Sequence, residues 1–241
     1  MFFIIHLIMH TDFKKIGIIV AMSKEYELVK NLLANPKEQK ILTFDFCEGT
    51  IGDKEIVLLK SGIGKVNSTI ATLEMIAHFS PDCVINTGVA GGIDQSVRVA
   101  DIIVGDASCY HDFYCGDVND HQAELGYPEF ISGDSKLIES LKAASEDMDN
   151  VRFGLICTGD QFITNREELF KIKAKHPAGL AVDMESNSIA HTCFMHGVPY
   201  ISFRIISDTP WVDNHEEQYL NFWDEAPQKT FALLQNLLSN L

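Results

Sequence analysis

Arginine is scarce in this chain: Arg98, Arg152, Arg166 and Arg204 are the only four among 241 residues. Lysine does not make up the difference, since Lys and Arg together number 19 against 34 Asp and Glu, a net charge of −15 with neutral histidine. A surface this acidic repels phosphate backbones and anionic headgroups, so neither nucleic acid nor a membrane surface is an expected partner. The expected ligand is neutral or cationic. Long apolar runs are also missing, and crossing a bilayer takes about 20 such residues. The N-terminal run at 2–9 (FFIIHLIM) has no basic segment before it and contains His6. It reads as an additional strand, or as residues ahead of a start at Met9, in preference to an export signal, and the expected location is the cytoplasm. No CxxC pair occurs among Cys47, Cys83, Cys109, Cys115, Cys157 and Cys193, so no zinc site or redox dithiol is signalled. These cysteines read as small buried hydrophobes in a reducing compartment. SGIGK at 61–65 fails the phosphate-loop pattern GxxxxGK[ST], GIGKVN lacks the third glycine of the dinucleotide fingerprint, and His191 and His196 do not form HExxH. Neither a metal nor a cofactor is expected.

What is present is an ordinary globular composition, 46% hydrophobic and 22% charged, with the length of one or two domains. Short runs rich in Ile and Val predict strands at Lys15–Ala21, Leu42–Glu48, Glu55–Lys60, Cys83–Thr87, Asp101–Ser108, Arg152–Thr158, Gly179–Asp183 and Tyr200–Ile206. Amphipathic stretches predict helices at Lys24–Leu33, Lys65–Phe79, Ser135–Glu146, Glu167–Lys175, Glu185–His196 and Glu225–Leu238. Continuous apolar strands such as IGIIVA and VINTGVA suit a sheet buried on both faces, and their alternation with helices implies parallel pairing. The class is α/β. The long irregular stretch Tyr110–Gly133 reads as a functional loop region inside a single domain.

In α/β sheets, ligands sit beyond the carboxyl ends of the strands. Here those ends carry AMSKEYE, with Ser23 placed to cap a helix and Glu25 in its first turn, then NTGVAGG (86–92), TGDQFITN (158–165), VDMESN (182–187) and RIISD (204–208). Each feature taken alone has a structural reading. Glu25 and Glu185 fall where a helix dipole favours an anion, worth about 0.3–1 kcal/mol. Gly88, Gly91 and Gly92 suit a tight turn, and Phe162 suits a core. Asp208 follows an apolar strand and a serine, with no such local explanation. The conjunction of three carboxylates, an aromatic and a glycine turn at strand ends points to a site.

The motifs KIGIIVAMxxE, SGIGKVN, PDxVINTGxAGG, GDxFI, VDME and RxISD, in this order from Lys15 to Asp208, resemble the methylthioadenosine/S-adenosylhomocysteine nucleosidases of the nucleoside phosphorylase superfamily. The resemblance implies a three-layer α/β/α sandwich around a mixed, mostly parallel sheet, with residues 1–14 as an extension and 15–241 as one nucleosidase domain. It also implies a homodimer that hydrolyses the N-glycosidic bond between adenine and a 5′-thio-substituted ribose. By resemblance Asp208 is the acid at the purine, Glu25 the base on water, and Glu185 the holder of ribose hydroxyls with Met184 beside it. Phe162 would stack on adenine while the Ile163 backbone reads its edge. Met22, Val89, Ala90, Gly91, Asp183 and Ser207 complete the expected substrate site. Tyr219 and Phe222, like Trp211 and Trp223, offer surface for a thioalkyl tail, although a helix face packed on the core explains their spacing equally well.

Cleaving this bond passes through an oxocarbenium-like state, which requires a proton for the leaving base, an activated water and stabilisation of a cationic ribose. A phosphorylase would need fixed cations for phosphate, and no arginine lies in AMSKEYE, SGIGKVN or NTGVAGG. Arg204 reads as a structural partner for a carboxylate. A hydrolase of futalosine-type nucleosides, or a phosphate-dependent phosphorylase, is the alternative. A non-catalytic nucleoside binder is disfavoured because Glu25 and Asp208 are both retained. Val20 and Val89 depart from the family pattern, as do 113–130 and 209–223, segments that in the family shape the pocket for the 5′ substituent.

Overall fold

A computed structural model describes residues 13–116, 126–209, 211, 217, 219, 220, 222 and 227–241. The N-terminal run at 2–9 and Trp223 lie outside the described residues. The elements run β1 (Lys15–Val20), α1 (Ser23–Lys30), β2 (Ala34–Ile41), β3 (Phe44–Ile51), β4 (Lys54–Lys60), α2 (Lys65–Phe79), β5 (Cys83–Gly92), β6 (Ile102–Tyr110), β7 (Ile131–Ser132) and α3 (Ser135–Ala144). They continue with β8 (Val151–Thr158), α4 (Arg166–Lys175), β9 (Gly179–Asp183), α5 (Ser186–His196), β10 (Tyr200–Asp208) and α6 (Pro227–Asn240). The class is mixed α/β.

β1 lies between β4 and β5 and pairs with both in parallel. Its side chains alternate between two cores. Ile16, Ile18 and Val20 join a cluster with Tyr26 and Val29 of α1, Leu137 and Leu141 of α3, and Leu233, Leu234 and Leu237 of α6. Ile19 joins a second cluster with Ala71 and Met75 of α2 and Ile189, Ala190 and Cys193 of α5. At Gly17 a Cβ would stand 2.4 Å from Met75 Sδ, so glycine lets α2 approach the sheet. Burial of alternate faces under helices is why β1 reads as an unbroken apolar run. Among the six cysteines only Cys115 is exposed.

Pairing is parallel for β1–β4, β1–β5, β5–β10, β6–β8 and β8–β9. It is antiparallel for β2–β3, β3–β4, β5–β9, β6–β7 and β6–β10. The sheet is mixed, as the resemblance implies, but not mostly parallel, since as many of these pairings are antiparallel as parallel; hairpin turns at Leu42 and Gly52, both with positive φ, fold β2, β3 and β4 back on one another. β10 pairs with β5 as well as β6, so β10, β6, β8, β9 and β5 close into a ring. Ala90, Ile103, Ile156, Ala181 and Ile206, one residue from each ring strand, form their own buried cluster with Val97.

β2 was not foreseen; its residues ANPKEQKI are almost wholly exposed. An edge strand bearing lysine, glutamate and Pro36 has no buried face to impose alternation, and those residues protect an edge from stray pairing. The helix expected through Leu33 ends at Lys30 instead. β7 lies inside the stretch 110–133 that reads as irregular in sequence.

Candidate active site

The carboxyl ends of β1, β5, β9 and β10 and the segment after β8 surround a cavity of about 280 Å³. It is lined by Met22, Glu25, Val89, Ala90, Gly91, Phe162, Ile163, Asp183, Met184, Glu185, Ser207, Asp208 and Tyr219, thirteen of the fourteen residues expected there. The exception is Phe222, whose side chain is buried in the large core cluster with the α1, α3 and α6 residues. That outcome corrects the pocket reading in favour of core packing. Trp211 also lies away from the cavity, edge-on to Phe170 with its indole N–H donating to the Ile93 carbonyl. Val20 turns into the core, while Val89, and Tyr219 of the departing segment 209–223, reach the cavity. Sequence reasoning missed Ala21, Ile63, Gln161 and Val182 as wall residues.

Glu25 is fixed by three backbone donors. Its Oε2 accepts from Ala21 N–H at 3.0 Å and Met22 N–H at 2.9 Å, and its Oε1 accepts from Val89 N–H at 3.1 Å. Met22, not Ser23, is the N-cap of α1, and Glu25, at the third helical position, reaches back to accept the N–H of that cap, the carboxylate half of a capping box. Gly88 makes this approach possible, since a Cβ there would stand 2.5 Å from Glu25 Oε1 and 2.8 Å from Arg204 Nη1. Burial raises the Glu25 pKa above 4.5, opposed by Arg204 and by the three backbone donors.

Arg204 lies beneath the cavity at 1% exposure. Its Nη2 is 2.8 Å from Asp183 Oδ2 and 3.4 Å from Glu185 Oε2 and donates to Asn86 Oδ1 at 2.6 Å, while its Nε donates to Ser186 Oγ at 3.1 Å. Asp183 Oδ1 in turn accepts from Thr158 Oγ1 at 2.6 Å. Glu185 is the N-cap of α5, and its Oε1 accepts from Gly64 N–H at 2.9 Å. Burial raises its pKa, with Arg204 opposing and Asp183 adding to the rise.

Asp208 closes β10 at a bulge, where the register with β5 shifts between Ile206 and Asp208. A bulge re-aims side chains, and here both Ser207 and Asp208 line the cavity. Ser207 Oγ donates to Asp208 Oδ1 at 2.7 Å. Phe162, 48% exposed, stands at the rim with its ring edge-on to Tyr219 at 5.5 Å, and the Tyr219 hydroxyl reaches Met22 Sδ at 3.6 Å.

The lining thus holds four carboxylates against one guanidinium that is already ion-paired. It offers an aromatic and apolar wall, an acid or base at two separate points, and no spare cation. Among the described residues, no group of three His, Cys, Asp or Glu is placed to hold a metal ion.

The family model of the phosphorylase superfamily matches residues 15–239. The 5′-methylthioadenosine/S-adenosylhomocysteine nucleosidase of Haemophilus influenzae (strain 86-028NP) is 40% identical over 199 residues, which are 80% of this chain and 85% of that protein. Among solved structures, the S-adenosylhomocysteine nucleosidase of Streptococcus pyogenes in complex with 5-methylthiotubericidin superposes with a TM-score of 0.87 at 30% identity, covering 96% of this chain and 99% of that one. The futalosine hydrolase of Helicobacter pylori strain 26695 superposes with a TM-score of 0.84 at 27% identity, covering 95% and 98%.

Removing the buried guanidinium would leave Asp183 and Glu185 without their counter-charge. Arg204→Met is expected to destabilise the protein by about 3–5 kcal/mol, the range for breaking one side of a buried ion pair. Urea unfolding reads this directly, and a loss under about 1 kcal/mol would contradict the ion-pair assignment.

Proposed function

We propose that this chain, which belongs to the phosphorylase superfamily and within it to the 5′-methylthioadenosine/S-adenosylhomocysteine nucleosidases, hydrolyses the N-glycosidic bond of those two nucleosides to adenine and the corresponding thioribose. The observation that carries the reading is the excess of carboxylates around one cavity whose sole lining cation, among the described residues, is already paired.

In this mechanism the purine lies against Phe162, with the Ile163 backbone at its edge. Asp208 delivers or shares a proton at N7, so the electron pair of the breaking C1′–N9 bond is drawn into the ring. Glu185 holds the ribose hydroxyls with Met184 packed beside it. Glu25 takes a proton from water as its oxygen bonds to C1′. Positive charge developing on the ribose is met by Glu25, Glu185 and Asp183, an attraction that grows toward the transition state and so lowers the barrier. Met22, Val89, Ala90, Gly91 and Ser207 shape the remaining walls, and Tyr219 faces the side where a 5′ tail would extend. Phosphorolysis is disfavoured because Arg204, although beside Gly88, is ion-paired through Nη2 with Asp183 and Glu185 and donates from Nη2 and Nε to Asn86 and Ser186. The futalosine reading has the H. pylori neighbour in its favour, at lower identity than the nucleosidase relative.

The same reading includes a three-layer arrangement, supported by separate helix-covered cores on the two sides of β1. It takes 15–241 as one domain after an extension at 1–14. It also includes a homodimer. Val66, Ile70 and Leu73 form an exposed apolar stripe on α2, and Phe194 and Met195 are exposed on α5, which packs beside α2. An apolar patch of this kind suits a second copy of the chain. No helix among the described residues is long and apolar enough to cross a membrane, and six free cysteines fit the proposed cytoplasmic location.

Glu25→Gln and Asp208→Asn are each expected to lower turnover of methylthioadenosine by at least about a hundredfold, the scale for loss of a general acid or base; near-normal turnover would remove that residue from its role. Because Glu25 acts as the carboxylate and burial raises its pKa above 4.5, kcat/KM is expected to fall with decreasing pH through a midpoint above 4.5. An acidic limb at or below 4.5 would contradict a desolvated base. Val66→Glu is expected to shift the sedimenting species from twice the 26.9 kDa chain mass to the chain mass, and a wild-type protein that sediments as a monomer would exclude the dimer.

A further inference from the structure

A second ion-pair cluster stands at the cavity rim, and the reaction derived above makes no use of it. Lys65 Nζ lies 2.9 Å from both oxygens of Asp112 and 3.7 Å from Asp160 Oδ2. Asp112 Oδ2 also accepts from Asp160 N–H at 2.9 Å, and Asp160 Oδ1 accepts from Lys65 N–H at 2.8 Å. Three segments remote in sequence are tied together at this point: the SGIGK turn before α2, the residues after β6, and those after β8. The Lys65 ammonium also stands 5.4 Å from the centre of the Tyr110 ring.

The cluster adjoins the site on two sides. Gly64, one residue before Lys65, donates the N–H that Glu185 Oε1 accepts at 2.9 Å. Its φ of 94° is one that L side chains rarely adopt, and a Cβ there would stand 3.1 Å from Asp160 Oδ1. Asp160 leads directly into Gln161, Phe162 and Ile163, which line the cavity. Any shift of Asp160 or of the SGIGK turn therefore moves the Glu185 donor and the aromatic wall together.

We propose that Lys65, with Asp112, is a positioning residue for the reaction: by clamping Asp160 and the SGIGK turn it aims Gly64 N–H at Glu185 and so fixes the carboxylate that grips the ribose. The inference rests on the reading of Glu185 as the ribose-hydroxyl holder. The clamp works through charge-assisted hydrogen bonds, which are shorter and stronger than neutral ones. The Lys65 and Asp112 side chains are about a quarter exposed and that of Asp160 about half, so the worth of the clamp to overall stability is small. Its effect lies in placement, because small displacements of a substrate-holding group are costly to rate.

The test compares wild type, Lys65→Met, Lys65→Arg, Asp112→Asn and Glu185→Gln on methylthioadenosine and on its 2′-deoxy and 3′-deoxy counterparts, with thermal unfolding of each variant. Lys65→Met is expected to lose about tenfold in kcat/KM on methylthioadenosine. Its preference for the ribo substrate over the deoxy substrates should fall by a similar factor, and Lys65→Arg should restore most of both. Asp112→Asn is expected to show the same loss of preference, which provides a second readout should Lys65→Met melt early. If Glu185→Gln loses the hydroxyl preference while Lys65→Met and Asp112→Asn keep it, the clamp is overturned and the role of Glu185 stands. If Glu185→Gln keeps the preference, the role of Glu185 fails and the clamp fails with it.

Discussion

Arg204 sits where the ring strands and α5 converge, and its burial sets terms for every group around it. A guanidinium removed from water needs counter-charges and hydrogen-bond acceptors, and Asp183, Glu185, Asn86 and Ser186 supply them at 2.6 to 3.4 Å. Those partners come from β5, the end of β9 and the start of α5, so one side chain fixes three elements against β10. The carboxylates are fixed in return. Asp183 and Glu185 face the cavity in defined positions because one side of each is held from below.

The remaining acidity is what gives the cavity its chemical character. Arg204 offsets part of the charge of Asp183 and Glu185, while Glu25 is held by three backbone N–H groups and Asp208 by the Ser207 hydroxyl and a strand bulge. A site built this way is poor at holding an anion and good at stabilising a cation. The net charge of −15 extends the same preference over the molecular surface, where it disfavours polyanions; inside the cavity it favours water over phosphate as the nucleophile.

Much of this was legible in the sequence where burial imposes a pattern. β1 and β5 lie under helices on both faces and appear as unbroken apolar runs, and β9 was predicted with its observed limits of Gly179 and Asp183. The polar residues closing those strands mark the cavity in the sequence, the family motifs supply Met22 and Ser207 beside them, and Tyr219 comes from the run of aromatics after Asp208. β2 left no trace because an exposed edge strand needs no alternation. Phe222 was ambiguous because helical spacing of aromatics is the same for a pocket wall and a core, and only the observed packing separates the two. Ala21, Ile63, Gln161 and Val182 were missed because neutral wall residues have no chemical signature. Lys65 is visible in the sequence as part of a failed phosphate loop and of the SGIGKVN motif, but its role is not, since its contacts with Asp112 and Asp160 join segments remote in sequence.

The central claim is that a neutralised Arg204 leaves the cavity suited to water. The most direct measurement follows adenine release from methylthioadenosine as phosphate is titrated from none to saturating, and identifies the sugar product. Release at a rate independent of phosphate, with free methylthioribose as product, is predicted. Release that appears only with phosphate and yields the sugar 1-phosphate would contradict it.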